Sequence, residues 1–106
     1  MMQVLWLDRA EKDLDEAFDY LLARSPRAAL RIYVAIRDGV AQLANYPSLG
    51  RPGRVAETRE LVIAGTPYVI AYTVDQRVEA VIVLRVLHGA RRWPDELKPP
   101  GPNNAG

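Results

Sequence analysis

The chain has 106 residues, no cysteine, one histidine and a formal net charge of +1. That length fits one domain around a single core. The composition excludes disulfides and thiol chemistry, and one His without Cys argues against a zinc centre.

The longest aliphatic run, Ala80 to Leu84, is far short of the roughly 20 residues a membrane span needs. The N-terminal stretch MMQVLWLDRAEKD is acidic, and its apolar part is too short for a secretory signal. A cytoplasmic protein with no membrane partner is expected.

In chain order, Gln3 to Leu7 (QVLWL) reads as a short strand. Asp8 suits a helix N-cap, with Glu11 three residues on as in a capping box. Ala10, Leu14, Ala17, Phe18, Leu21 and Leu22 then form one apolar helical stripe, with Asp13, Glu16 and Asp19 off it. Ser25-Pro26 ends this helix and starts the next, because proline is tolerated in a first turn. Ala29, Tyr33, Ile36, Val40 and Leu43 make the second stripe, which stops near Asn45, before Pro47. Two such helices joined by a tight turn form an antiparallel hairpin.

Tyr46 to Glu57 (YPSLGRPGRVAE) holds two Pro and two Gly and reads as loop. Thr58 to Ile63 (TRELVI) alternates as a strand does. Tyr68 to Val74 (YVIAYTV) is β-branched and aromatic, and Tyr68 and Tyr72 share one face of it. Asp75-Gln76-Arg77 closes a hairpin onto Val78 to His88. The near-continuous apolar runs of these last two strands predict central positions in the sheet. From Pro99 onward three Pro, two Gly and two Asn predict a disordered tail. The expected architecture is α+β in the order β-α-α-β-β-β, a helical hairpin on a small, mainly antiparallel sheet. The domain spans 1–95 and the tail 96–106.

Charge is unevenly placed. Residues 1–50 hold 6 Lys+Arg against 7 Asp+Glu, and residues 51–106 hold 8 against 6. The bases of the second half are almost all Arg. Guanidinium offers a planar fork to carboxylate or phosphate, although a GC-rich genome gives the same bias. The stretch RVLHGARRWP (Arg85 to Pro94) concentrates the chemistry: the lone His88, with Arg85, Arg91, Arg92 and Trp93 around it.

The element order, together with "LANYPSLGRPGR", "TRELVI", "PYVIAYTV" and "VIVLRVLHGARRWP", resembles the RelE/ParE superfamily of toxins from type II toxin–antitoxin systems. The match covers about residues 3–95, and "LRVLHGAR" is closer to the ParE branch. The resemblance implies a small toxin held inactive by a cognate antitoxin. ParE-like members are associated with poisoning DNA gyrase, and RelE-like members cleave mRNA in the ribosome. A relative that only pairs with its antitoxin is a third alternative.

Metal-free RNA cleavage needs a base for the 2′-hydroxyl, cations for the phosphate and an acid for the leaving oxygen. The residues available are Arg59, Arg85 and His88, with Glu57 or Glu60 as substitute base. The resemblance implies lysines for the RNA-cleaving branch, and this chain has none between Lys12 and Lys98. Arg59 and Arg85 are expected on the sheet face away from the helices, or at its edge, since an unpaired charge in the core is costly. Arg85 and His88 lie three residues apart, so a regular strand would turn them to opposite faces. A bulge at Val86 or Leu87 would let them converge. The alternative use of the same region is docking, through Arg51, Arg54, Arg85, Arg91, Arg92 and Trp93. In the bland reading His88 is a hydrogen-bonded boundary residue, Trp93 a lid on the core, and Arg51 and Arg54 solvated. No cofactor or metal is implied, and whether the protein is an enzyme stays open at this point.

Overall fold

The computed structural model describes residues 1–89. The elements are β1 (Gln3–Trp6), α1 (Asp8–Leu22), α2 (Pro26–Ala41), a 3-10 turn (Gln42–Ala44), β2 (Arg51–Pro52), β3 (Arg59–Val62), β4 (Tyr68–Asp75) and β5 (Ala80–His88). They form one five-stranded sheet in the order β1-β5-β4-β3-β2. β1 runs parallel to β5, and the other pairings are antiparallel. This is the expected α+β arrangement with one strand more. β2 is a two-residue strand inside the segment read as loop, too short and too Pro-rich to leave a sequence signal.

The helix stripes follow the predicted spacing except that Leu22 is exposed and Ile32, outside the predicted stripe, is buried. Ala10 and Leu14 of α1, with Ala29, Ile32, Ile36 and Val40 of α2, are buried against the sheet. There they meet Leu61, Ile63, Tyr68, Ile70, Tyr72, Val81, Val83 and Val86. Each buried Leu, Ile or Val side chain among them contributes about 1.5–3 kcal/mol by leaving water. Tyr68 and Tyr72 do share the core face. Tyr33 is only partly buried and packs on the margin of the core, its ring edge-on to Phe18 at 5.5 Å.

The start of α1 differs from expectation. Leu7, not Asp8, is the N-cap, with φ −68° and ψ 151° and no side-chain cap bond. The reason is the preceding strand. Leu7 N–H donates to the Val83 carbonyl at 3.0 Å, and the Leu7 carbonyl accepts from Ala10 and Glu11. One residue therefore ends the sheet pairing and opens the helix. Asp8 and Glu11 sit in the first turn, where their charge suits the helix dipole. The Ser25-Pro26 start of α2 is as expected: Ser25 Oγ accepts from Ala28 N–H at 3.2 Å.

Between β4 and β5 the register shifts at Ala71/Tyr72. Tyr72 pairs with Val83 and Ala71 with Arg85, so Leu84 is an extra residue. The bulge lies two to three residues before the expected place. It brings Val83 and Val86, three apart, onto the core together. Among the described residues no helix is long and apolar enough to cross a membrane. The proposed tail, 96–106, lies outside the described residues.

Candidate functional site

At the end of β5 the geometry follows from where β1 stops. β1 pairs with β5 only as far as Trp6 opposite Val83. Beyond that point the outer edge of β5 faces α1. Asp13 fills the position a further strand would occupy. Its carboxylate accepts from Arg85 Nε at 2.7 Å and Arg85 Nη2 at 3.1 Å, and from Val86 N–H at 3.0 Å. Arg9 Nε adds a longer bond of 3.4 Å. Asp13 is 8% exposed and Arg85 7%. This is a buried, bidentate ion pair that also satisfies a strand-edge amide.

The sequence reading placed Asp13 off the helical stripe and Arg85 on the sheet face away from the helices or at its edge. The structure puts both at the β5 edge, on the side of α1. Asp13 lies three residues after Ala10 and one before Leu14, on the flank of the buried stripe. An acid there and an arginine within an apolar run are two signals of one pair, although nothing local joins them.

His88 pairs across the sheet with Tyr68, and the rings meet edge-to-face at 5.6 Å. Arg85 pairs with Ala71, so backbone alternation still separates Arg85 and His88. Both nonetheless line one groove of about 410 Å³ with Arg9, Glu16, Tyr20 and Tyr68. Arg91, Arg92 and Trp93 lie outside the described residues.

A second cluster holds the segment 46–54. Glu60 on β3 is 4% exposed. It accepts from Arg51 Nη2 at 3.1 Å and from Arg54 N–H at 3.2 Å, and its carboxylate lies 3.9 Å from Arg54 Nε. Arg51 and Arg54, taken above as solvated or docking, are therefore anchored at one end and exposed at the other. Arg59 Nη1 donates to the Gly50 carbonyl at 2.6 Å and more weakly to that of Ser48 at 3.4 Å. Arg59 stands opposite Tyr72, which belongs to the core. It is thus on the helix side of the sheet, not the open side, beyond the end of the helical cover. Tyr72 Oη donates to the Pro47 carbonyl and accepts from Gly50 N–H, both at 2.8 Å. Burial pushes the Tyr72 phenol up, against the opposing pull of the Gly50 amide and Arg59. Glu60 is held by arginines and Glu57 is exposed on a left-handed backbone (φ 64°). Neither stands near His88 in the groove at the β5 exit.

Arg37 joins α2 to α1 and β1. It donates to Glu11 at 2.9 Å and Tyr33 Oη at 3.1 Å and lies over the Trp6 ring at 4.5 Å. Desolvation pulls its pKa down, and the bonds to Tyr33 and Glu11 outweigh this and leave it raised. Among the described residues no group of three His, Cys, Asp or Glu could hold a metal ion.

Known proteins resemble this chain in sequence and in fold. Residues 4–93 match the model of the ParE toxin of the type II toxin–antitoxin system parDE. The toxin candidate Y4kP of Sinorhizobium fredii is 42% identical over 95 residues, covering 90% of this chain and 96% of its own. Toxin RelE2 of Caulobacter vibrioides is 41% identical over 91 residues, covering 86% and 99%. Among solved structures, a chain of the chromosomal ParDE system from P. aeruginosa superposes with a TM-score of 0.74 at 26% identity, covering 83% of this chain and 96% of that one. On the breadth of these matches, the chain belongs to the ParE toxin family of type II toxin–antitoxin systems.

Proposed function

We propose that this toxin acts by docking on DNA gyrase and is neutralised by a cognate antitoxin, and that it does not cleave RNA. The carrying observation is the state of Arg85. The best placed cation for a phosphate is buried and committed to Asp13 through two hydrogen bonds. A cation serves a transition state only if it can reach the developing charge, and releasing Arg85 would leave Asp13 as a buried, unbalanced carboxylate. Arg59, the other arginine expected from the sequence, lies with the 46–54 segment rather than in the groove beside His88. Beside His88 the same groove holds Arg9, tied to Asp13 and 57% exposed, with Glu16 and Tyr20, so it is the commitment of Arg85 to Asp13 that counts against cleavage. The matched ParE model and the ParDE neighbour support the gyrase branch. An antitoxin partner is supported by the same neighbour, solved as a ParDE system.

One observation favours the other reading: the 41% identical relative is named RelE2. Controlled expression separates the two. The gyrase reading expects induction of the DNA-damage response and stalled replication, with translation continuing at first. Rapid translational arrest with mRNA cut at ribosomal A sites would reverse the assignment. Two variants sharpen the test. His88→Gln keeps a polar side chain but cannot shuttle a proton near neutral pH, and it should leave toxicity largely intact. Neutralising Arg91 and Arg92 together should weaken target binding, as should added salt, because exposed charges are screened over about 10 Å at 0.1 M. A His88→Gln variant that folds, binds antitoxin and is non-toxic would instead make His88 a catalyst.

A further inference from the structure

We infer that segment 46–54 is a pre-ordered docking surface for an acidic protein face, and that Arg59, Glu60 and Tyr72 are its positioning residues. The inference rests on the docking mode proposed above and adds which surface docks and what it meets.

The segment combines two properties that seldom occur together. Its side chains face solvent: Tyr46 is 65% exposed and Leu49 50%. Its backbone is fixed from beneath by the sheet. Tyr72 Oη bridges Pro47 and Gly50, Arg59 holds the Gly50 and Ser48 carbonyls, and Glu60 binds the Arg54 amide. Leu49 N–H closes a turn onto the Tyr46 carbonyl at 3.0 Å, and β2 pairs the segment to β3. Gly50 is required here. A Cβ at that position would stand 2.8 Å from the Glu60 carbonyl oxygen and from the Tyr72 ring and hydroxyl.

Surface loops are ordinarily mobile, since little apolar area holds them. Here a buried carboxylate, an arginine and a core tyrosine are committed to a loop whose Tyr46 and Leu49 side chains stay largely in solvent. Holding the loop in advance removes an ordering cost from binding. The side chains it presents, a tyrosine, a leucine and two arginines, match the enrichment of aromatic and Arg anchors at the centres of protein interfaces.

Charge identifies the partner. Arg51 and Arg54 share the single buried carboxylate of Glu60, which leaves this triad one positive charge in excess, while the exposed Asp38 lines the adjoining groove with Leu49 and Arg51. The Arg51 and Arg54 side chains remain 59% and 51% exposed while tied to Glu60. Glu60 aligns them and cannot itself reach a partner. The complementary surface offers carboxylates around an apolar recess that receives Tyr46 and Leu49. A nucleic acid would satisfy the charge but has no such recess for the leucine.

The test uses the full chain, with purified DNA gyrase in a supercoiling assay and growth arrest on expression. The Tyr46→Ala/Leu49→Ala double variant changes only exposed side chains and should keep its melting temperature. It should need about tenfold more protein or higher for half inhibition, as loss of interface anchors does. Tyr72→Phe removes a hydroxyl that no partner can touch. It should weaken inhibition about threefold or more by loosening the segment. Equal potency of the double variant and wild type overturns the surface, and equal potency of Tyr72→Phe overturns its pre-ordering. If wild type leaves gyrase unaffected, the gyrase target alone falls and growth arrest decides. The double variant must then lose the arrest, and equal arrest, or no arrest by wild type, overturns the inference. A double variant that stays fully toxic but escapes the antitoxin also overturns it, by making this the antitoxin's surface.

Discussion

Replacing Asp13 by alanine removes the acceptor for four donors at once: Arg85 Nε and Nη2, Val86 N–H and Arg9 Nε. Breaking one side of a buried ion pair costs about 3–5 kcal/mol, because the other charge stays buried without its counter-ion. A buried amide left without its acceptor adds about 1–3 kcal/mol. The Arg9 contact, with its side chain 57% exposed, adds little. The low ends sum to about 4 kcal/mol, a large part of the 5–15 kcal/mol typical of a domain. At about 4–8 °C per kcal/mol for a chain of this size, the melting temperature should fall by at least about 16 °C. Asp13→Asn keeps an acceptor for the Val86 amide but removes the charge opposite Arg85, and should lose about 3 kcal/mol at the low end. The Asp13→Leu/Arg85→Met double variant removes both charges and should be more stable than Asp13→Ala. Urea unfolding followed by circular dichroism measures all three. Asp13→Ala within about 1 kcal/mol of wild type would refute the buried-pair argument, and so would a double variant no better than the single one.

Three further outcomes are expected. Gly50→Ala should destabilise the fold by about 1–3 kcal/mol, the scale of overpacking a tight contact, and should raise hydrogen exchange across residues 47–54. Tyr72 is an acid whose folded pKa is raised, so its contribution to stability is full below the ordinary phenol value and is lost as pH rises past 10 towards the folded value. Alkaline unfolding should therefore be shallower in Tyr72→Phe than in wild type, and parallel curves would count against this. Removing residues 99–106, which include no large apolar side chain, should leave the melting temperature within about 2 °C, well below the shift that 1 kcal/mol brings.

What the sequence reveals and what it hides divide along one physical line. Features set by neighbours in the chain are readable. Ser25 caps α2 because the acceptor and donor are three residues apart, and Ala29, Ile36 and Val40 share a face because the helix period requires it. β4 and β5 read as central strands because apolar residues fill both their faces. Features set by a partner far along the chain are not readable. Asp13 and Arg85 are 72 residues apart, and each alone resembles a solvent-facing charge. Glu60 can be seen to hold Arg51 only once β2 is known to pair with β3. The bulge at Leu84 depends on register against β4, and Leu7 becomes the N-cap because β5 holds its amide. Even so, Gly50 within "LGRPGR" is a cue, since a glycine in a short Arg-rich loop marks a close approach.

The arginines of this chain show why composition could not separate docking from catalysis. Arg85, Arg37, Arg51, Arg54 and Arg59 are the same residue type, placed where apolar packing gives out at the margins of a thin sheet. Their burial differs, and burial decides what each can do. Arg85 has both faces enclosed and its fork filled by Asp13, so its charge is spent inside the protein. Arg37 is turned inward by Trp6, Tyr33 and Glu11 and ties three elements together. Arg51 and Arg54 share one buried carboxylate and keep about half of each side chain in water. A ribonuclease would need the first kind of arginine to be open to a phosphate. A docking protein needs the second kind, held in place yet accessible. One accessible guanidinium, that of Arg9, shares the groove of the lone histidine, while the two aligned by a buried carboxylate belong to the segment of Tyr46 and Leu49, and that pairing favours a surface for recognition there.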